Sequence, residues 1–181
     1  MVRRLQPLKT SATANLVMIL AMATVACGCT GMMHGVCSDS ACDGSVYSLV
    51  LKDTDGKRVD FSRYRGKVLM LNLFTTWSQP SVISMPGYGA LYRKYRDQGL
   101  RVVGIGMDKL GSKVLVPFVQ GMQIDFPVLL ASKKIIEGKS VFGNVSVIPT
   151  LLLFGRSGRL KWVFVGMIKE HRLEGIIRDL L

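Results

Sequence analysis

The chain has 181 residues, enough for one domain with a well-buried core, and 49% of them are apolar. Lysine and arginine outnumber aspartate and glutamate by 24 to 12, a formal charge of +12. The basic residues are scattered and form no nucleic-acid-binding motif, which argues against nucleic acid as a partner. What remains is a well-solvated surface, or attraction to anionic lipid headgroups or an acidic partner.

The chain opens with Arg3, Arg4 and Lys9, and residues 10 to 33 then carry no charge. Leu16 to Ala26 is an apolar core of secretory length, and small residues lead up to Cys27. Residues 1–26 therefore read as a signal peptide. The ending resembles a bacterial lipoprotein box, which predicts lipidation at Cys27, although Thr24 stands where that box usually has leucine. Cleavage after Ala26 without lipidation is a competing reading, and an uncleaved membrane anchor is another. Each of these places the rest of the chain in an oxidising compartment.

All four cysteines, Cys27, Cys29, Cys37 and Cys42, fall within residues 27–44, whose glycines and serines read as a flexible tether. Cys37 and Cys42 are near enough to close a small disulfide ring; with Cys27 lipidated, an odd number of thiols remains. Met32, Met33 and His34, with Cys37 and Cys42, also offer the soft ligands that suit copper(I). Apart from that copper reading no metal site is predicted, since nothing matches zinc spacing or a C-x-x-C-H haem attachment site.

Residues 45–181 read as one domain of alternating strands and helices, hence α/β. Val46 to Leu51 and Arg58 to Phe61 are strand candidates joined by the turn Asp53-Thr54-Asp55-Gly56. Val68 to Phe74 is an apolar run too short for a helix, expected to be a strand buried on both faces. A helix is expected from Ser78 to about Gln98. Ser78 suits its N-cap, with the side-chain oxygen accepting a free amide. Pro80 falls in its first turn, Pro86 lies inside, and Gly99 stops it. Leu100 to Met107 is a second buried strand. A helix around Val114 to Met122 should begin near Pro117, followed by the strand-like Phe126 to Leu130 and a modest helix from Lys134 to Phe142. Leu151 to Phe154, a turn at Gly155 to Gly158, Leu160 to Val165 and a helix from Lys169 to Leu181 complete the domain. There is no internal repeat.

Between the strand at Val68 and the helix lies Trp77-Ser78-Gln79-Pro80-Ser81, with Pro86 five residues beyond Ser81. Together with Gly66-Lys67 and Ile148-Pro149-Thr150, this set resembles the thioredoxin-like TlpA/ResA type of thiol-disulfide oxidoreductase, close to the redoxin and AhpC/TSA group. The hallmark of that family is a strand, then W-C-x-P-C, then a helix; here both cysteine positions are serine. The resemblance covers residues 45–181. It implies a thioredoxin-like three-layer sandwich with a mixed central sheet and an N-terminal β-hairpin extension. It also implies a cis-proline at Pro149, facing the motif across a peptide groove formed by Trp77, Ser78, Ile148 and Pro149. No cofactor is implied. The implied location is the bacterial cell envelope, on the periplasmic side of a membrane and held there by a lipid anchor or an uncleaved leader. Asn72 stands where thioredoxins keep a buried acid, and an amide cannot act as a base.

Serine cannot take over the sulfur chemistry. A cysteine at a helix N-terminus has its pKa lowered from about 8.5 to roughly 3.5–7.5, attacks a disulfide, and is released by the second cysteine. An alcohol is far less acidic, and a helix N-terminus contributes only about 0.3–2 kcal/mol towards its ionisation. No disulfide exchange is therefore expected at Ser78 and Ser81. A hydrolytic role for Ser78 lacks a base: the only histidines are His34 and His171, and there is no G-x-S-x-G elbow. The expected role is a module that binds a peptide or an envelope protein. The alternatives are an oxidoreductase that uses Cys37 and Cys42 or a partner's thiols, and copper handling through the tail.

Overall fold

A computed structural model describes residues 46–181. In chain order, strands β1 (Val50–Asp53), β2 (Arg58–Asp60) and β3 (Val68–Phe74) lead to helix α1 (Gln79–Tyr95). Strand β4 (Leu100–Gly106), helix α2 (Ser112–Gly121), strand β5 (Val128–Leu130) and helix α3 (Lys133–Ile136) follow. Strands β6 (Thr150–Phe154) and β7 (Leu160–Val165) and helix α4 (Glu170–Leu180) end the domain. The strands form one mixed sheet of seven in the order β2-β1-β5-β4-β3-β6-β7. β3, β4 and β5 run parallel, while β1 and β6 pair antiparallel with β5 and β3.

β3 is the centre of the sheet, and every one of its seven residues is buried. Its side chains alternate between two cores, as a strand covered on both faces requires. Leu69, Leu71 and Leu73 pack beneath the N-terminal segment and α3 with Val46, Phe61 and Phe142. Val68, Met70 and Phe74 pack on the opposite face against Met85 and Leu91 of α1, Leu115 of α2, and Leu173 and Ile177 of α4. The α/β three-layer sandwich is thus present, with the β1–β2 hairpin as its N-terminal extension. The hairpin turn is held by Asp53 Oδ1, which accepts from the amides of Asp55 and Lys57. After α1 a 3₁₀ turn runs from Arg96 to Gln98, and Gly99 at φ +110° ends it in the left-handed region where glycine is favoured.

Three element boundaries differ from expectation. Val46–Ser48 is a 3₁₀ turn and not the start of a strand. The Tyr47 ring is lodged against Gly158, and its hydroxyl donates to the Arg156 carbonyl, which draws the segment off the strand line. α2 begins at Ser112, so Pro117 lies inside it on an exposed side. The modest helix ends at Ile136, where Gly138 at φ +69° turns the chain away. Residues 1–26, Cys27, Met32, Met33, His34, Cys37 and Cys42 lie outside the described residues, so the signal peptide, lipidation, tail disulfide and copper readings are untouched by the fold.

Candidate functional site

Parallel strands carried towards one end of a sheet leave their loops together there, and that is where Trp77 to Ser81 falls. β3 ends at Phe74 and α1 begins at Gln79, so the motif is the connection between them. The antiparallel neighbour β6 starts at the same end: Leu73 pairs with Thr150, which places Pro149 beside the outgoing loop that carries Ser78. The peptide bond from Ile148 to Pro149 is cis, as the resemblance implies. β4 delivers Met107 and Asp108 to this end, and β7 delivers Val165 to Met167. Topology therefore brings Trp77, Ser78, Ile148 and Pro149 to one end of the sheet.

Within the loop, the Ser78 amide donates to the Thr75 carbonyl at 3.3 Å, and the Val82 amide donates to the Ser78 carbonyl at 3.1 Å. Ser78 has the extended backbone of an N-cap, but its hydroxyl makes no capping hydrogen bond, contrary to the sequence expectation. Pro80 in the first turn removes one amide that would otherwise need a partner. Ser81 is fully buried, and its Oγ has no hydrogen-bond partner among the described residues; the same holds for Asn72 Oδ1 and Thr75 Oγ1. The Asn72 amide is turned towards sulfur, with Nδ2 lying 3.7 Å from Met85 Sδ. Three side-chain oxygens under and within the motif are thus buried without a hydrogen bond among the described residues.

Asp108, which the sequence did not single out, holds the loop. Its carboxylate accepts from the Thr76 hydroxyl at 2.7 Å and from the Thr76 amide at 3.1 and 3.2 Å. It is 9% exposed, and the signal that could have found it is a lone acid directly after an apolar strand, which must meet donors once buried.

The other side of the loop is apolar and open. Trp77 is 77% exposed, and Leu110, Val147 and Met167 also stand free of the core at this end. Of these only Trp77 was expected from the sequence. The Val147 carbonyl accepts from Thr150 Oγ1 and the Pro149 carbonyl from the Gly166 amide. Between them, the amide and carbonyl of Ile148 have no backbone partner among the described residues. His171 is exposed in the first turn of α4. No group of three or more metal-ligating side chains occurs among the described residues.

Residues 44–163 match the model of the AhpC/TSA family. The thiol-disulfide oxidoreductase ResA of Bacillus subtilis (strain 168) is 30% identical over 128 residues, covering 70% of this chain and 68% of that protein. A ResA of Bacillus cereus is 28% identical over 136 residues, covering 74% and 75%. Among solved structures, a thioredoxin family thiol:disulfide interchange protein from Chlorobium tepidum TLS superposes with a TM-score of 0.65 at 23% identity, covering 73% of this chain and 92% of that one. A secreted disulfide oxidoreductase of Mycobacterium tuberculosis gives 0.63 at 16%, covering 79% and 100%. The two structures share the fold, and the family match shares the ancestry: this chain belongs to the AhpC/TSA family, in its thioredoxin-like TlpA/ResA-type branch of thiol-disulfide oxidoreductases.

Proposed function

We propose that this protein is an exported peptide- or partner-binding module whose Ser78-x-x-Ser81 site has lost disulfide exchange. The observation that carries this reading is the unpaired backbone of Ile148, at the same end of the sheet as the exposed ring of Trp77 and an apolar rim. An extended peptide laid along Ile148 can exchange main-chain hydrogen bonds with it, as a strand added to a sheet edge does, while its side chains cover Trp77, Val147 and Met167. Ser78 is buried beneath that rim, where its hydroxyl contributes polarity but no leaving group or redox couple. The surroundings of Ser81 support the loss of sulfur from an older site. A thiol is a weak donor and acceptor and loses nothing in a position without partners, whereas a hydroxyl does. Export rests on the leader-like residues 1–26 and on likeness to a secreted protein.

The test uses the full chain with Cys27, Cys29, Cys37 and Cys42 replaced by serine, so that no tail thiol contributes. Insulin reduction should stay at the uncatalysed rate, while alkylated insulin B chain should bind and shift the amide resonances of Trp77 and Ile148. Turnover of insulin by this variant would overturn the loss of activity. Absence of B-chain shifts at Trp77 and Ile148 would overturn the groove. Adding Ser78→Cys and Ser81→Cys should restore reduction, because Pro149 and the α1 N-terminus already flank the motif.

A further inference from the structure

β5 starts only opposite Gly104, so the first half of β4, from Leu100 to Val103, has no strand on that flank among the described residues. The gap between β4 and the β1–β2 hairpin is a cavity of about 580 Å³, at the end of the sheet away from Ser78. That volume lies within the roughly 300–1,000 Å³ of small-molecule pockets. Val102, Val119 and Phe126 give it an apolar interior, while Arg63 and Arg101 line it from opposite elements. Arg101 Nη1 donates to the carbonyls of Arg96 and Leu100 at 2.7 Å, which fixes one guanidinium in the wall. Arg63 lies over the Tyr64 ring at 5.9 Å.

Neither arginine has a carboxylate partner among the described residues. The one acid in the lining is Asp53, whose Oδ1 already accepts two turn amides. Burial pushes the Tyr64 phenol above its ordinary range, so it stays a neutral donor beside the two cations. Two guanidiniums against the one carboxylate of Asp53, with no ion pair to either among the described residues, leave the lining net positive; that favours an anion, and arginine suits planar oxyanions best.

We propose that this cavity binds a small organic carboxylate with an apolar body, its head between Arg63 and Arg101 and its body against Val102, Val119 and Phe126. This site is independent of the peptide groove. Octanoate is the probe, titrated into the full chain and followed by calorimetry and by amide chemical shifts. Saturable binding should move the amides of Arg101, Val102, Phe126 and Val128 and leave Trp77 and Ile148 in place. Octanol and inorganic phosphate, each lacking half of the pharmacophore, should bind at least about tenfold more weakly.

Arg63→Gln, an exposed position that leaves the fold intact, should weaken octanoate about tenfold. Val119→Trp should block the cavity with both arginines still present, its melting curve reporting the fold. Alkylated insulin B chain should bind all these variants as it binds the parent. The proposal is overturned by octanol matching octanoate, by Arg63→Gln binding like the parent, or by octanoate shifts centred on Trp77. Capture of phosphatidylglycerol vesicles through Arg63 and Arg101 with no response to octanoate would also overturn it, making the site a lipid-surface contact.

Discussion

Ser81 Oγ is buried in the first turn of α1 without a partner among the described residues, and an unsatisfied buried hydroxyl costs about 1–3 kcal/mol. Ser81→Ala should therefore stabilise the domain by about 1 kcal/mol, visible as a melting temperature higher by about 2–4 °C. A lower melting temperature would show that the hydroxyl is satisfied in solution. Asp108 is the opposite case, a buried carboxylate with each oxygen in use. Asp108→Ala should cost about 2–3 kcal/mol in urea unfolding and weaken B-chain binding, because Thr76 then no longer holds the loop bearing Trp77. Unchanged binding would separate the Asp108 tie from the groove. The serines at 78 and 81 and the proline at 149 were legible in the sequence because their spacing is local or carried by the motif. Asp108 was not, since its partner Thr76 lies 32 residues away in the chain. Leu110 and Met167 escaped notice for a related reason: an apolar residue in a loop reads as core until the fold leaves it in water.

The elements that read most clearly were those whose burial is uniform. β3, β4 and β6 are short apolar runs bounded by turn signals, and each lies in the interior of the sheet. The 3₁₀ turn at Val46–Ser48 reads as strand because Val46 and Tyr47 are strand-favouring residues, but the docking of Tyr47 on Gly158 decides its shape. Gly106 shows the same limit. A Cβ there would run into the Leu115 side chain, so the glycine marks the close approach of β4 to α2, a fact of packing that no local pattern contains. α1 and α4 are joined across their exposed edges, where Lys94 Nζ and the Tyr95 hydroxyl donate to Glu174 Oε1 at 2.7 and 2.6 Å. Those bonds, the Lys94 one first, hold the Glu174 carboxyl below its usual range. A depressed acid contributes stability above its unfolded pKa and loses it as pH falls through the folded value. Stability should thus drop as pH falls below about 4.3, and Glu174→Gln should flatten that acid limb. The effect should shrink in about 0.5 M salt, since the pair is partly exposed. An acid limb unchanged by the substitution would assign it to other carboxylates.

At the scale of the molecule, Arg156 gathers three separate stretches. Its guanidinium donates to the carbonyls of Gly66, Gln98 and Leu181, at the end of the sheet where β3 begins and β6 ends. Tyr47 sits at this same end, under the Arg65 guanidinium and bonded to the Arg156 carbonyl. Cys42 precedes Val46 by about four residues, a reach of about 13 Å, while β3 alone spans about 20 Å. In Ser78→Cys, mass spectrometry after mild oxidation should find no bridge within the chain between the new thiol and Cys42. Such a bridge would show that the domain opens. Tyr47 also marks the pole at which the described residues begin. The described chain enters at the foot of the sheet, so Trp77 and its neighbours crown the far pole, clear of that entry.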